Sequence, residues 1–202
     1  MIAWQVQSLL MSYPDERLLD RLPLLRTASA SLPDPVGGPL LAFLDHLDRT
    51  PLTRLAADYV ATFDHRKRFS PYLTYFAYGD TRKRGMALLR FKHAYRAAGL
   101  DLTDGPDGGE LPDHLAVVLE FAATGDPVAG QRLLVEHPAG LELMRLGLRE
   151  AGSPWAHVLD SVSATLPPLG RLDHAKIAEL AAAGPPEEEV GMSPYAMDGK
   201  PR

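Results

Sequence analysis

The side chains whose types and spacing come nearest to chemistry are an Asp-His pair, Asp113 and His114, and a glutamate seven residues on, Glu120. A hydrolytic Asp–His relay needs the carboxylate to orient the imidazole. Neighbours on one helix project about 100° apart, so this pair does not make one there. Seven residues is two helical turns, which puts Asp113 and Glu120 on one side of a helix opening at Pro112, with Ala116 and Val117 between them. Two carboxylates flanking a small apolar strip would seat an arginine-bearing amphipathic segment. The same spacing equally suits a helix cap at Asp113 and a surface ion pair at Glu120.

Other chemistries lack their residues. With no cysteine, thiol catalysis, disulfides and thiolate metal sites are absent. None of the seven histidines stands three or four residues from another, so a helical metal pair is missing. The loop 101–110, DLTDGPDGGE, carries acids at its positions 1, 4, 7 and 10, whereas a calcium-binding EF-hand loop needs 1, 3, 5 and 12. No GxSxG, HExxH, Walker or GxGxxG sequence occurs. We expect no enzyme and no bound metal or cofactor.

Charge is unevenly spread. Segment 66–96 has nine Arg or Lys against the single acid Asp80, while the chain totals −5, which leaves the rest at −13. Within it, YLTYFAYGDTRKRGMALLRFKHAY (72–95) gathers six aromatics and, counting His93, six basic residues. A basic island in an acidic chain argues for a local partner. A nucleic-acid-binding regulator using 66–96 is the alternative, and its binding would weaken steeply with salt.

The elements that must position these groups read as helices almost throughout. Ile2, Val6, Leu9, Leu10 and Tyr13 keep a helical period until Pro14. GGPLLAFLDHLDRT and PLTRLAADYVATF suggest two short helices meeting near Pro51. Thr81 is placed to cap a helix running to Ala98, with Ala87, Leu88, Phe91, Ala94, Tyr95 and Ala98 on its apolar face. Arg82, Lys83, Arg90, Lys92 and Arg96 take the other face, with Met86 and Leu89 among them. Pro112 is expected to open the next helix, and four more follow. Nine or ten helices with short connections predict one all-α domain, a helical bundle over 1–183. The segment 184–202, with four prolines, an acidic triplet and no period, is expected as a disordered tail. Its Val190, Met192 and Tyr195 leave open a docking or self-masking role. The apolar start has no preceding basic residue, so no secretory signal is expected, and no run is long enough to span a bilayer.

Together, YGDTRKRGMALL and ELPDHLAVVLEF, with DYVATFD upstream, resemble the nitrate reductase molybdenum-cofactor assembly chaperones, the NarJ type within the TorD/DmsD group. The resemblance runs from about Asp58 to Ala123. It implies a cytoplasmic, all-helical, non-catalytic chaperone. Such a protein would bind the N-terminal segment of the nitrate reductase catalytic (alpha) subunit and assist insertion of the molybdenum guanine dinucleotide cofactor before release. It would bind no nucleic acid and have no stable membrane association. It places Asp113 and His114 in a peptide groove, with Tyr59 and Phe63 as groove-lining aromatics and Glu110 and Glu120 as flanking acids. Arg82, Arg84 and Arg90 then face an acidic patch of the client or the phosphates of its cofactor. Pro71, in RFSPYLTY, interrupts the pattern and should keep Ser70 out of helical geometry.

Overall fold

The computed structural model describes residues 1–79, 81–100 and 110–184. The 101–109 part of the candidate calcium loop and the tail beyond Gly184 lie outside these. Among the described residues there are twelve α-helices and no strand, only an isolated bridge between Tyr72 and His114. The fold is all-α, as the sequence indicates.

The helices are α1 (Ile2–Met11), α2 (Glu16–Asp20), α3 (Leu22–Ala30), α4 (Asp34–Arg49), α5 (Leu52–Tyr59), α6 (Tyr75–Tyr78), α7 (Arg82–Ala97), α8 (Leu115–Glu120), α9 (Pro127–Val135), α10 (Pro138–Glu150), α11 (Trp155–Ala164) and α12 (Arg171–Ala183). Single π-helical turns follow α5 (Val60–Asp64) and α8 (Phe121–Gly125), and a 3-10 turn covers Lys67–Phe69. The core is built where α1, α4 and α11 meet, with α8 on the far side of α1 and α10 behind α11. Trp4, Leu10 and Met11 of α1, Leu40, Phe43 and Leu44 of α4, and Trp155, Val158 and Leu159 of α11 are all buried there.

A string of buried polar groups runs through this apolar centre. Gln7 donates to Ser161 Oγ at 2.8 Å, Ser161 in turn donates to the Val36 carbonyl at 2.7 Å, and Ser8 donates to the Ala116 carbonyl at 2.8 Å. Each would be costly to bury without its partner, so together they hold α1, α4, α8 and α11 in one relative register.

Two element boundaries differ from the sequence reading. The stretch GGPLLAFLDHLDRT, read as a short helix from Gly37, belongs to a longer one, since α4 runs from Asp34 through Gly37, Gly38 and Pro39. A Cβ on Gly37 would sit 2.3 Å from the Ser29 carbonyl oxygen, so this glycine permits the close crossing of α3 over α4. Likewise α8 begins at Leu115 rather than Pro112, because Pro112 and Asp113 form a turn, closed by His114 N donating to the Leu111 carbonyl at 2.9 Å, and His114 bridges to Tyr72. As expected, Ser70 before Pro71 is extended, at φ −49° and ψ 121°.

Helix α7 lies on the surface and touches the body mainly through α6 and α9. Phe91 and Tyr95 of its predicted apolar face are buried, Ala87, Leu88 and Ala94 are half-buried, and Ala98 is exposed beyond its end. Gly85 sits mid-helix with ordinary negative φ, and a Cβ there meets nothing within 4 Å. Gly85→Ala should therefore stabilise the chain by about 0.5–1 kcal/mol, through the unfolded-state entropy that glycine carries. Urea unfolding measures this; an unchanged or lower midpoint would mean that α7 adds nothing to the cooperative fold.

Candidate functional site

Asp113 lies in a tight turn that leads into α8: His114 N donates to the Leu111 carbonyl at 2.9 Å across Pro112 and Asp113. Leu73 N donates to the Asp113 carbonyl at 3.0 Å, and Leu115 N donates to the Pro71 carbonyl at 2.9 Å, so His114 bridges to Tyr72. From α7, the Tyr95 hydroxyl donates to the Pro112 carbonyl at 2.6 Å. The turn is thus clamped between the 71–73 segment and α7.

Asp113 points inward and is 0% exposed. Its Oδ2 accepts from the Thr74 amide at 3.2 Å and the Thr74 hydroxyl at 2.5 Å. The Arg84 guanidinium reaches the same oxygen at 3.7 Å, and Arg84 Nε donates to Thr74 Oγ1 at 3.3 Å. Arg84 also lies over the rings of Tyr72 and Tyr75, 5.2 and 5.8 Å from their centroids. The motif arginine and the motif aspartate, some thirty residues apart in sequence, are therefore one internal ion pair closed by Thr74. This corrects the reading of Asp113 as a helix cap or as one half of a carboxylate seat with Glu120. Asp113 is not on the helix at all, and only Glu120 is exposed.

His114 caps α8 instead. Its Nδ1 accepts from the Ala116 amide at 3.3 Å, which requires the neutral ring with its proton on Nε2. That Nε2 lies 4.0 Å from the Glu110 carboxylate, and the ring meets Tyr72 edge-on at 5.4 Å. Burial outweighs the nearby acids Glu110, Asp113 and Asp64 and holds the imidazole pKa below its usual value. His137, buried against Phe91, is shifted the same way for the same reason. The unfolded chain then binds protons that the folded chain refuses, so stability is whole above the unfolded imidazole pKa of about 6.5 and declines as pH falls below it. The urea midpoint should drop between about pH 7.5 and 5.5. The drop should shrink in His114→Asn, whose amide oxygen can take over the cap. A flat profile in the parent protein would contradict the neutral, capping histidine.

Tyr59 and Phe63 are buried in an aromatic stack rather than forming an open wall. Their centroids are 4.8 Å apart, and both pack on Trp155, at 5.9 and 5.7 Å. The Tyr59 hydroxyl donates to the Met11 carbonyl at 3.2 Å, and burial, with Glu110 and Asp64 nearby, pushes its pKa up. On the outer edge of this stack, the exposed ring of Tyr13 meets Tyr59 at 5.5 Å. Tyr72 donates to Glu110 at 3.3 Å, and its pKa is pushed up to about 12 by burial and the Glu110 charge. Glu110 itself keeps 56% of its side chain in water.

Tyr13, Asp64, Tyr72 and Glu110 therefore make a partly exposed aromatic corner with two acids, supported from beneath by Tyr59, Phe63 and His114. Sequence reading missed Tyr13, Asp64, Thr74 and Trp155. Asp64 closes the DYVATFD motif and Thr74 lies within the basic stretch, but only the fold brings these four to their positions. Glu120, at the C-terminal end of α8, has no side-chain contact to this corner among the bonds observed.

The basic island is partly spent inside the chain. Arg84 is only 11% exposed against Asp113, Arg90 donates to Glu136 at 2.8 Å, and Arg68 pairs with Glu150. Arg82 is exposed. A phosphate-binding surface needs its cations free for phosphate, and Arg68, Arg84 and Arg90 are already engaged within the chain. Among the described residues, no three His, Asp or Glu side chains gather where a metal ion could be held, and no helix is long and apolar enough to cross a membrane.

Residues 29–160, which contain every part of this arrangement except Tyr13, match the family described as "Nitrate reductase delta subunit". The chain is 39% identical over 171 residues to the nitrate reductase-like protein NarX of Mycobacterium tuberculosis H37Rv, covering 85% of this chain but 25% of that protein. It thus spans about a quarter of the length of the NarX relatives. It is 31% identical over 170 residues to the probable nitrate reductase molybdenum cofactor assembly chaperone NarJ of Bacillus subtilis, covering 84% of this chain and 90% of that one. To the NarJ chaperone of Escherichia coli K12 it is 28% identical over 201 residues, 98% of this chain and 81% of the relative.

Proposed function

The chain belongs to the nitrate reductase delta subunit family, and on that premise we propose that it is an assembly chaperone for a nitrate reductase. In this reading it binds the N-terminal segment of the apo catalytic subunit, assists insertion of the molybdenum cofactor and then leaves. The observation that carries the proposal is the match to a named assembly chaperone across nine-tenths of that relative's length. The relatives that match over most of their length are named as chaperones rather than catalysts.

The corner of Tyr13, Asp64, Tyr72 and Glu110 supports recognition of a short amphipathic helix. Its aromatic edges offer apolar contact, and its two carboxylates favour a lysine or arginine on the peptide. Tyr59, Phe63, Asp113 and His114 act from beneath, by fixing the corner's shape; Glu120 would touch only a peptide that extends along α8. Arg82 and the outer part of Arg90 remain for the body of the client.

Calorimetry with a peptide from the N-terminus of the catalytic subunit tests this. Glu110→Gln, which keeps shape and removes one exposed charge, should weaken binding about three- to tenfold at low salt and less at high salt. If the peptide does not bind at all, and a pull-down fails to retain the apo catalytic subunit, the chaperone reading itself is wrong. If the peptide binds but Glu110→Gln and Asp64→Asn leave affinity unchanged, the corner is not its seat.

A further inference from the structure

Helix α7 presents a face that the body of the protein does not cover. Its sixteen residues hold six Arg or Lys and no acid. Met86 and Leu89 are 69% and 53% exposed at the centre of the outward side, a helical step apart. Arg82 and Lys83 precede them one turn earlier, both exposed, and His93 follows one turn later. Two large apolar side chains set among cations form a surface that suits an acidic segment with apolar residues in it.

This chain contains such a segment. Glu187, Glu188 and Glu189 are its only run of three acids, and Val190 and Met192 follow at once. The described residues end at Gly184, which lines a hollow together with Arg68, Phe76, Leu146 and Leu180. Phe76 belongs to α6, which leads within four residues into α7. Glu187 lies three residues past Gly184 and Met192 eight, so extended chain carries them up to about 10 and about 28 Å from it, against about 24 Å for the whole length of α7. The acidic triplet, only three residues past Gly184, thus starts from the side of the molecule where α7 begins.

We infer that residues 187–192 of this chain dock on the outward face of α7, the glutamates against Arg82 and Lys83 and the apolar pair against Met86 and Leu89. The docked tail is an intramolecular competitor for any acidic partner that reads this face. Its advantage is local concentration rather than tight intrinsic affinity. The inference does not depend on the proposed client.

The absence of native cysteine makes a direct test available, because two introduced thiols are the only ones present. In the full chain, Ser193→Cys is combined with Gly85→Cys, where the added side chain meets open space. The control pairs Ser193→Cys with Gly38→Cys, equally open but on α4. A second test pair, His93→Cys with Ser193→Cys, guards against a local effect at Gly85 and leaves Arg82 and Lys83 in place. Under a mild oxidant at low salt, both α7 pairs should form the intramolecular disulfide roughly tenfold or more faster than the control. The excess should collapse in about 0.5 M NaCl, and equally in E187Q/E188Q/E189Q.

Equal rates in test and control pairs overturn the inference. So does disulfide forming mainly between molecules, which would make the occupant a second copy. Anionic lipid vesicles provide the remaining arm. If they bind the parent chain and E187Q/E188Q/E189Q equally well, the face is open to a lipid surface and the tail does not cover it.

Discussion

Asp113→Ala is expected to lower the stability of the chain by about 3–5 kcal/mol, the range seen when one partner of a buried ion pair is removed. The carboxylate holds three things at once: the Thr74 amide, the Thr74 hydroxyl and the Arg84 guanidinium. Without it the arginine, lying over Tyr72 and Tyr75, loses this buried carboxylate, and two donors on Thr74 lose their acceptor. The slight exposure of Arg84 lets water relieve part of the loss, which favours the lower end of the range. Asp113→Asn separates charge from shape. Its amide oxygen can still accept from Thr74, and the amide group would take the place of Oδ1, which has no hydrogen-bond partner among the described residues. The expected cost is then about 1–2 kcal/mol. Urea unfolding followed by far-UV circular dichroism distinguishes the two. If Asp113→Ala unfolds at the parent's midpoint, the network is ornamental and Asp113 must be sought at an interface instead.

Trp155→Ala is expected to cost a similar amount, about 3–5 kcal/mol, for a different reason. The indole is 2% exposed and fills the space where Phe43, Tyr59 and Phe63 converge, so truncation leaves a cavity ringed by aromatics. At about 2–4 °C per kcal/mol for a chain of this size, the thermal midpoint should fall by on the order of 10 °C. Trp155→Phe, which keeps most of the volume, should recover more than half of that loss. The stack also supports the acidic corner, so Trp155→Ala should weaken binding of the client peptide even when the variant is folded at the assay temperature. A folded Trp155→Ala with parental peptide affinity would separate the core from the corner.

Helical class, the solvent face of α7 and the absence of metal-ligating spacing could be read from the sequence, because each is a matter of local period or of which residues are present. The role of Asp113 could not. Its partner Thr74 lies 39 residues upstream, and nothing in a one-dimensional pattern distinguishes an aspartate that caps a helix from one that closes a distant loop. The proline before it was the misleading signal. Proline favours the first turn of a helix, but it equally suits the second position of a tight turn, and here the bond from His114 N to the Leu111 carbonyl closes that turn. Tyr59 and Phe63, read as groove-lining aromatics, are adjacent in space as a spacing of four implies, but both are buried. Their burial depends on Trp155, almost a hundred residues later. Gly37 shows the same limit, since its close approach to the Ser29 carbonyl of α3 leaves no mark in the local pattern.

The packing of α1 has a consequence in time. Two partners of this helix are made late: Gln7 bonds to Ser161 and Trp4 to Thr165, more than 150 positions downstream. At typical translation speeds of about 5–20 residues per second, roughly ten to thirty seconds separate the synthesis of the two halves of that contact. Through that interval the seat of Trp4, Val6, Leu10 and Met11 is incomplete, because α3, α4 and α8 are made before α11. The helix made first thus has its packing completed by one of the last.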